Sequence, residues 1–125
     1  MAQKMTFGLI VGNRGFFPDH LAKSGREEMI SVLKAAGHDV VCPDATQTTY
    51  GAVCTREEAK VCANLFQANR DKINGIIITL PNFGEERGLV EAIRLANLNV
   101  PVLVQATPDA AGKMTIADRR DSFCG

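Results

Sequence analysis

The chain has 125 residues, enough for one domain, and its 46% hydrophobic and 22% charged residues are those of an ordinary globular protein. Fourteen Lys and Arg balance fourteen Asp and Glu, so the positive excess on which nucleic-acid binding draws is missing. No apolar run approaches the roughly 20 residues of a membrane span, and the first residues lack the form of a secretory peptide.

Residues 5–11 form a short apolar run closed by Gly12 and read as a strand buried on both faces. Residues 19–36 place Leu21, Met29, Ile30, Val32 and Leu33 at helical spacing; Asp19 is positioned to cap the start, and Gly37 to stop the helix. Residues 38–42 read as a second strand and the polar stretch 43–53 as a loop. Thr55-Arg-Glu-Glu58 has the form of a capping box, opening a helix that runs to about residue 71 with Ala59, Cys62, Ala63 and Phe66 on one side. Residues 75–79 are the strongest strand, 81–86 a loop, 87–97 a third helix and 101–105 a fourth strand. Strands alternating with helices imply parallel pairing with right-handed crossovers. The expected architecture is a flavodoxin-like α/β three-layer sandwich, with a parallel sheet of about four strands in order 2-1-3-4 and helices on both faces. Residues 1–109 make up this domain. The pattern fails after Gln105, and residues 110–125 read as a tail leading toward a further domain, mobile or docked on a neighbour.

In such a sheet, ligands bind beyond the carboxyl ends of the strands where strand order reverses. That point brings together Gly12-Asn-Arg-Gly-Phe-Phe-Pro18 and Leu80-Pro-Asn-Phe-Gly-Glu-Glu86, with Gln105-Ala-Thr-Pro-Asp109 beside them. Arg14 offers a planar fork suited to a hydroxyl pair, a carboxylate or a phosphate, or binds its own loop. Asn13 and Asn82 can orient hydroxyls or close turns. Phe16 and Phe83 can stack on a sugar face, seal an interface with another chain or pack over the sheet end. Glu85 and Glu86, being adjacent, face different ways and read as partners of a helix N-terminus rather than an acid–base pair.

Several signatures are absent. Gly8, Gly12 and Gly15 do not make a dinucleotide fingerprint, and neither a phosphate-binding loop nor a nucleophile elbow occurs. Cys42, Cys54, Cys62 and Cys124 show no C-x-x-C spacing, and His20 and His38 stand in no metal-ligand arrangement. The cysteines therefore read as reduced thiols of a cytoplasmic protein, Cys124 among them as an ordinary buried thiol. No cofactor or complete metal site is expected within the chain.

Gly-Leu-Ile-Val-Gly-Asn-Arg-Gly-Phe-Phe-Pro, residues 8–18, resembles the start of proteins in the L-fucose/L-arabinose isomerase superfamily, in particular the fucose isomerase-like proteins. Residues 79–86, 104–109 and 119–125 fit the same group, so the resemblance covers the chain but only the first of three domains. It implies the N-terminal domain of an aldose–ketose isomerase, acting on a small-molecule sugar in a homo-oligomer with no nucleic-acid or membrane partner. In that arrangement the domain closes the active site of a neighbouring subunit. Mn²⁺ is expected in the full-length parent, held by Glu, Asp and His of later domains. The resemblance assigns substrate-binding roles to Arg14, Phe83, Asn13 and Asn82, with no catalytic or metal-binding residue in this chain. Two other readings stay open. One is a non-catalytic sugar-binding module of periplasmic-binding-protein type. The other is an oligomerisation module with Phe16, Phe17 and Phe83 at the interface.

Overall fold

A computed structural model describes residues 3–124. Its elements are β1 (Thr6–Val11), α1 (His20–Ala35), β2 (Asp39–Val41), α2 (Arg56–Ala68), β3 (Gly75–Leu80), α3 (Glu86–Ala96) and β4 (Val102–Ala106), with 3₁₀ turns at Thr49–Gly51 and Ser122–Cys124. The four strands pair in parallel in the order β2-β1-β3-β4. This is the α/β three-layer sandwich expected from the alternation of strands and helices.

Strand pleating sorts the core into two layers. Ile10, Ile76, Ile78 and Leu80 face α2 and α3, where Cys62, Phe66, Leu89 and Ala92 complete one cluster. Leu9, Val11 and Ile77 face the other way and pack with Ala22 of α1, flanked by Met29, Ile30 and Leu33. Every residue of β3 is buried, as a central parallel strand requires. β4 is one of the two edge strands, and its Leu103 and Val104 remain 62% and 58% exposed.

Helix ends follow local chemistry. The capping box forms: Thr55 Oγ1 accepts from the Glu58 amide at 3.1 Å, and Glu58 accepts from the amides of Cys54, Thr55 and Thr49. Gly37 ends α1 with φ +92°. Asn97 ends α3 in the left-handed region. Asp19 occupies the N-cap position of α1 but makes no capping bond through its side chain, contrary to expectation.

Close approach of α3 to the start of α2 depends on Gly88. A Cβ there would stand 2.6 Å from the Cys54 carbonyl oxygen, a backbone atom that cannot swing aside. Gly88→Ala gains about 1 kcal/mol of helix propensity and meets an overpacking cost of up to about 3 kcal/mol. The expected result is a net loss of about 1–2 kcal/mol, read as a lower urea midpoint with an unchanged slope. A variant as stable as the parent would show that the two helices can part freely.

Residues 120–122 are tied to the ends of β3 and β4 and to the loop that follows β4. Asp109 accepts from the amides of Arg120 and Asp121 at 2.6 and 3.3 Å. The Arg120 guanidinium donates to Pro81 O at 2.8 Å, and Ser122 Oγ donates to Leu80 O while accepting from the Thr107 amide. Further back, His20 Nε2 lies 2.8 Å from Ala117 O. Residues 110–117, by contrast, are exposed, with Met114 at 70% and Ile116 at 88%.

Candidate functional site

The two loops at the reversal of strand order are joined by a buried asparagine. Asn82 is 0% exposed, and both ends of its amide are engaged. Oδ1 accepts from the amides of Arg14 and Gly84, each at 3.2 Å. Nδ2 donates to Asn13 Oδ1 at 2.8 Å and to Pro18 O at 3.3 Å. Asn13 is itself buried, and its amide donates to Val53 O. Val53 closes an isolated parallel bridge to Gly12, tying residues 43–53 to the same cluster. The structure therefore places Asn13 and Asn82 inside the loop junction, where they fix the backbone that carries Arg14.

Arg14 and Phe83 lie on the outer side of that junction. The Arg14 guanidinium sits over the Phe83 ring at 5.0 Å and over the Phe16 ring at 5.5 Å, with an ion pair to Glu85 at 4.0 Å. Phe17 stacks between Phe16 and Phe83, its ring 5.4 and 5.3 Å from theirs. Two aromatic faces restrain an otherwise flexible side chain through cation–π attraction. A pre-positioned guanidinium loses less entropy when it binds a hydroxyl pair or an anion. Phe16 is 73% exposed, so this cluster meets solvent on one side.

Beside it opens a cleft of about 990 Å³, lined by Arg14, Arg56, Arg87, Glu85, Glu86 and Glu91, with Cys54 and Gly88 also on its wall. Three positive and three negative side chains balance. Arg14 thus belongs both to the aromatic cluster and to the cleft, while Arg56 and Arg87 are additions that the sequence reading did not contain. Both belong to the starts of helices whose mutual approach depends on Gly88, a tertiary fact with no signature in spacing. Burial pushes the Cys54 thiol up, reinforced by the Glu58 carboxylate; the Gly15 amide opposes this, Glu85 adds to it and Arg14 opposes it. A raised thiol pKa disfavours the thiolate form. Cys124 is exposed rather than buried, because the turn at 122–124 turns Ser122 inward instead.

Among the described residues, no three His, Cys, Asp or Glu side chains come together to hold a metal ion. The donor set of the described residues does not fit Mn²⁺. No helix among them is long and apolar enough to cross a membrane.

The parallel pairing of β1 and β3 brings the polar and aromatic groups of their two following loops together at the carboxyl end of an α/β sheet. The chain belongs to the fucose/sulfoquinovose isomerase family, whose N-terminal domain matches residues 8–125. No curated protein and no solved structure matches it in the corresponding comparisons.

Proposed function

We propose that this domain supplies one wall of the sugar pocket of an aldose–ketose isomerase, presented to the active site of a neighbouring subunit in a homo-oligomer. The observation that carries this reading is the stacked Arg14–Phe83 pair at the reversal of strand order, in a domain of this isomerase family. An aldose or ketose offers a row of hydroxyls and an apolar ring face. A guanidinium donates to the first, and an aromatic ring packs on the second. Asn82 and Asn13 serve the same end by holding the Arg14 backbone. On this reading the residues that would hold Mn²⁺, which would supply Lewis-acid chemistry at the sugar oxygens, lie outside this domain, as do the groups that act on the sugar carbons. The role of this chain is to bind, orient and exclude water. The exposed Phe16 suits a surface that another subunit covers.

The test uses the full-length protein, with L-fucose and sulfoquinovose as trial sugars. Arg14→Ala removes a charged donor to the sugar, and KM rises by roughly ten- to a hundredfold. Phe83→Ala gives a smaller rise in the same direction. Co-assembly of Arg14→Ala subunits with subunits inactivated in a later domain restores turnover, because each mixed site draws its wall from one chain and its chemistry from another. Unchanged kinetics in Arg14→Ala would overturn the reading, and failure of co-assembly would place the wall in the same subunit as the chemistry.

A further inference from the structure

We propose that Arg119 is a positioning residue for the sugar-facing Arg14, acting through the stacked rings of Phe17 and Phe83; this rests on the isomerase reading above. The rings and guanidinium groups form one continuous file. Arg119 sits over Phe17 at 4.8 Å, Phe17 lies 5.3 Å from Phe83 with the planes 33° apart, and Arg14 sits over Phe83 at 5.0 Å. A cation over each of two tilted, touching rings restrains them, since each ring face is drawn to its own guanidinium.

The backbone around Arg119 is unusually well held for a connection of this kind. The Arg119 amide donates to Thr115 O at 2.7 Å. The next two amides donate to the Asp109 carboxylate. The Arg120 guanidinium donates to Pro81 O, and Ser122 Oγ to Leu80 O. Pro81 and Leu80 immediately precede Asn82 and Phe83 in the chain. The end of β3 therefore fixes both the segment bearing Arg119 and the loop bearing Phe83. Arg119 also pairs with Asp121 at 3.7 Å, which restrains its direction. The segment 109–122 thus acts as a brace. It carries the Arg119 side chain to the Phe17 ring, and Phe17 touches Phe83, which carries Arg14.

The experiment uses the full-length protein with the same two sugars. Arg119→Ala is expected to raise KM about fivefold, from the loss of one partly exposed cation–π contact, with kcat held within about twofold. Arg119→Lys keeps the charge and recovers part of the loss. Phe17→Leu keeps apolar volume but removes the ring, and gives the same KM rise even if Arg119→Ala does not fold. The deciding measurement is a double-mutant cycle. If Arg119 works through Arg14, its effect disappears in the Arg14→Ala background. An unchanged KM in Arg119→Ala, or an effect of equal size in both backgrounds, overturns the proposal while leaving the Arg14 wall intact. An Arg14→Ala enzyme with parental kinetics removes the pocket-wall reading as well.

Discussion

Asn82→Asp is expected to destabilise the protein by about 3–5 kcal/mol at neutral pH, although it changes only one atom. The amide is fully buried and uses both its ends. A carboxylate there keeps the bonds from the Arg14 and Gly84 amides. It loses both donors, and its second oxygen then faces the lone pairs of Asn13 Oδ1 and Pro18 O. Two favourable amide contacts do not offset the desolvation of a charge whose second oxygen meets only acceptors. The protonated acid fares better, because its hydroxyl can donate to Asn13 Oδ1. The folded-state pKa of the new carboxyl is therefore raised above its unfolded value. The penalty is absent below the ordinary carboxylate range and grows as pH rises through it toward the raised folded value. Urea midpoints of the two proteins should converge on acidification and separate near neutrality. A variant within about 0.5 kcal/mol of the parent at neutral pH, inside the range of ordinary surface substitutions, would show that water reaches the junction. The same substitution should weaken sugar binding, since the Arg14 backbone hangs from Asn82 Oδ1.

The order of elements was readable because each carries a local signal. Alternation of short apolar runs with helical spacing marks a parallel sheet, and the run at 75–79 is buried on both faces as its composition demands. Thr55 and Glu58 announce the start of α2 at a spacing that only a capping box explains. The approximate place of the site followed from topology, since parallel strands bring the loops after β1 and β3 together whatever their sequences. What stayed hidden was how the side chains divide their work. Asn13 and Asn82 are polar residues in ligand-facing loops, and a sequence does not say whether such an amide points to a ligand or to another loop. Here they point to each other, 69 residues apart in the chain. Asp109, Arg119, Arg120 and Ser122 have no periodicity, so their brace on Leu80 and Pro81 left no pattern to read. The opposed charges of Asp109 and the Arg119-Arg120 pair are the sole hint, and in a loop such pairs are common. Cys124 is exposed where an ordinary buried thiol is expected: Phe123 beside it is 71% exposed, and the buried member of the turn is Ser122.

The second large effect lies away from the cleft, in the layer that sets the height of β1. Phe66 is 0% exposed and is among the largest fully buried side chains of the core. Its ring lies against Gly8: a Cβ built there would stand 2.8 Å from two ring atoms. The glycine is thus needed for close approach of a ring to a strand, not for an unusual turn, and its φ is not in the left-handed region. Phe66→Ala removes the ring and leaves a cavity between α2 and the sheet, at a cost of about 3–5 kcal/mol. For a domain whose whole stability is about 5–15 kcal/mol, that leaves little margin. Gly8→Ala alone overpacks the same contact, with an expected cost of about 1–3 kcal/mol. Together the two changes partly compensate, because the new methyl group enters space that the ring has left. The cost of the pair is therefore less than the sum of the single costs, a coupling that urea denaturation of the four proteins reads directly. Strict additivity would mean that the ring and the strand do not touch in solution. Because Gly8 lies in β1, four residues before Gly12, a strand displaced by Gly8→Ala should also shift the Arg14 loop and raise the KM for sugar. Loss of stability with unchanged KM would show instead that the Asn82 junction holds the loop independently of the core beneath it.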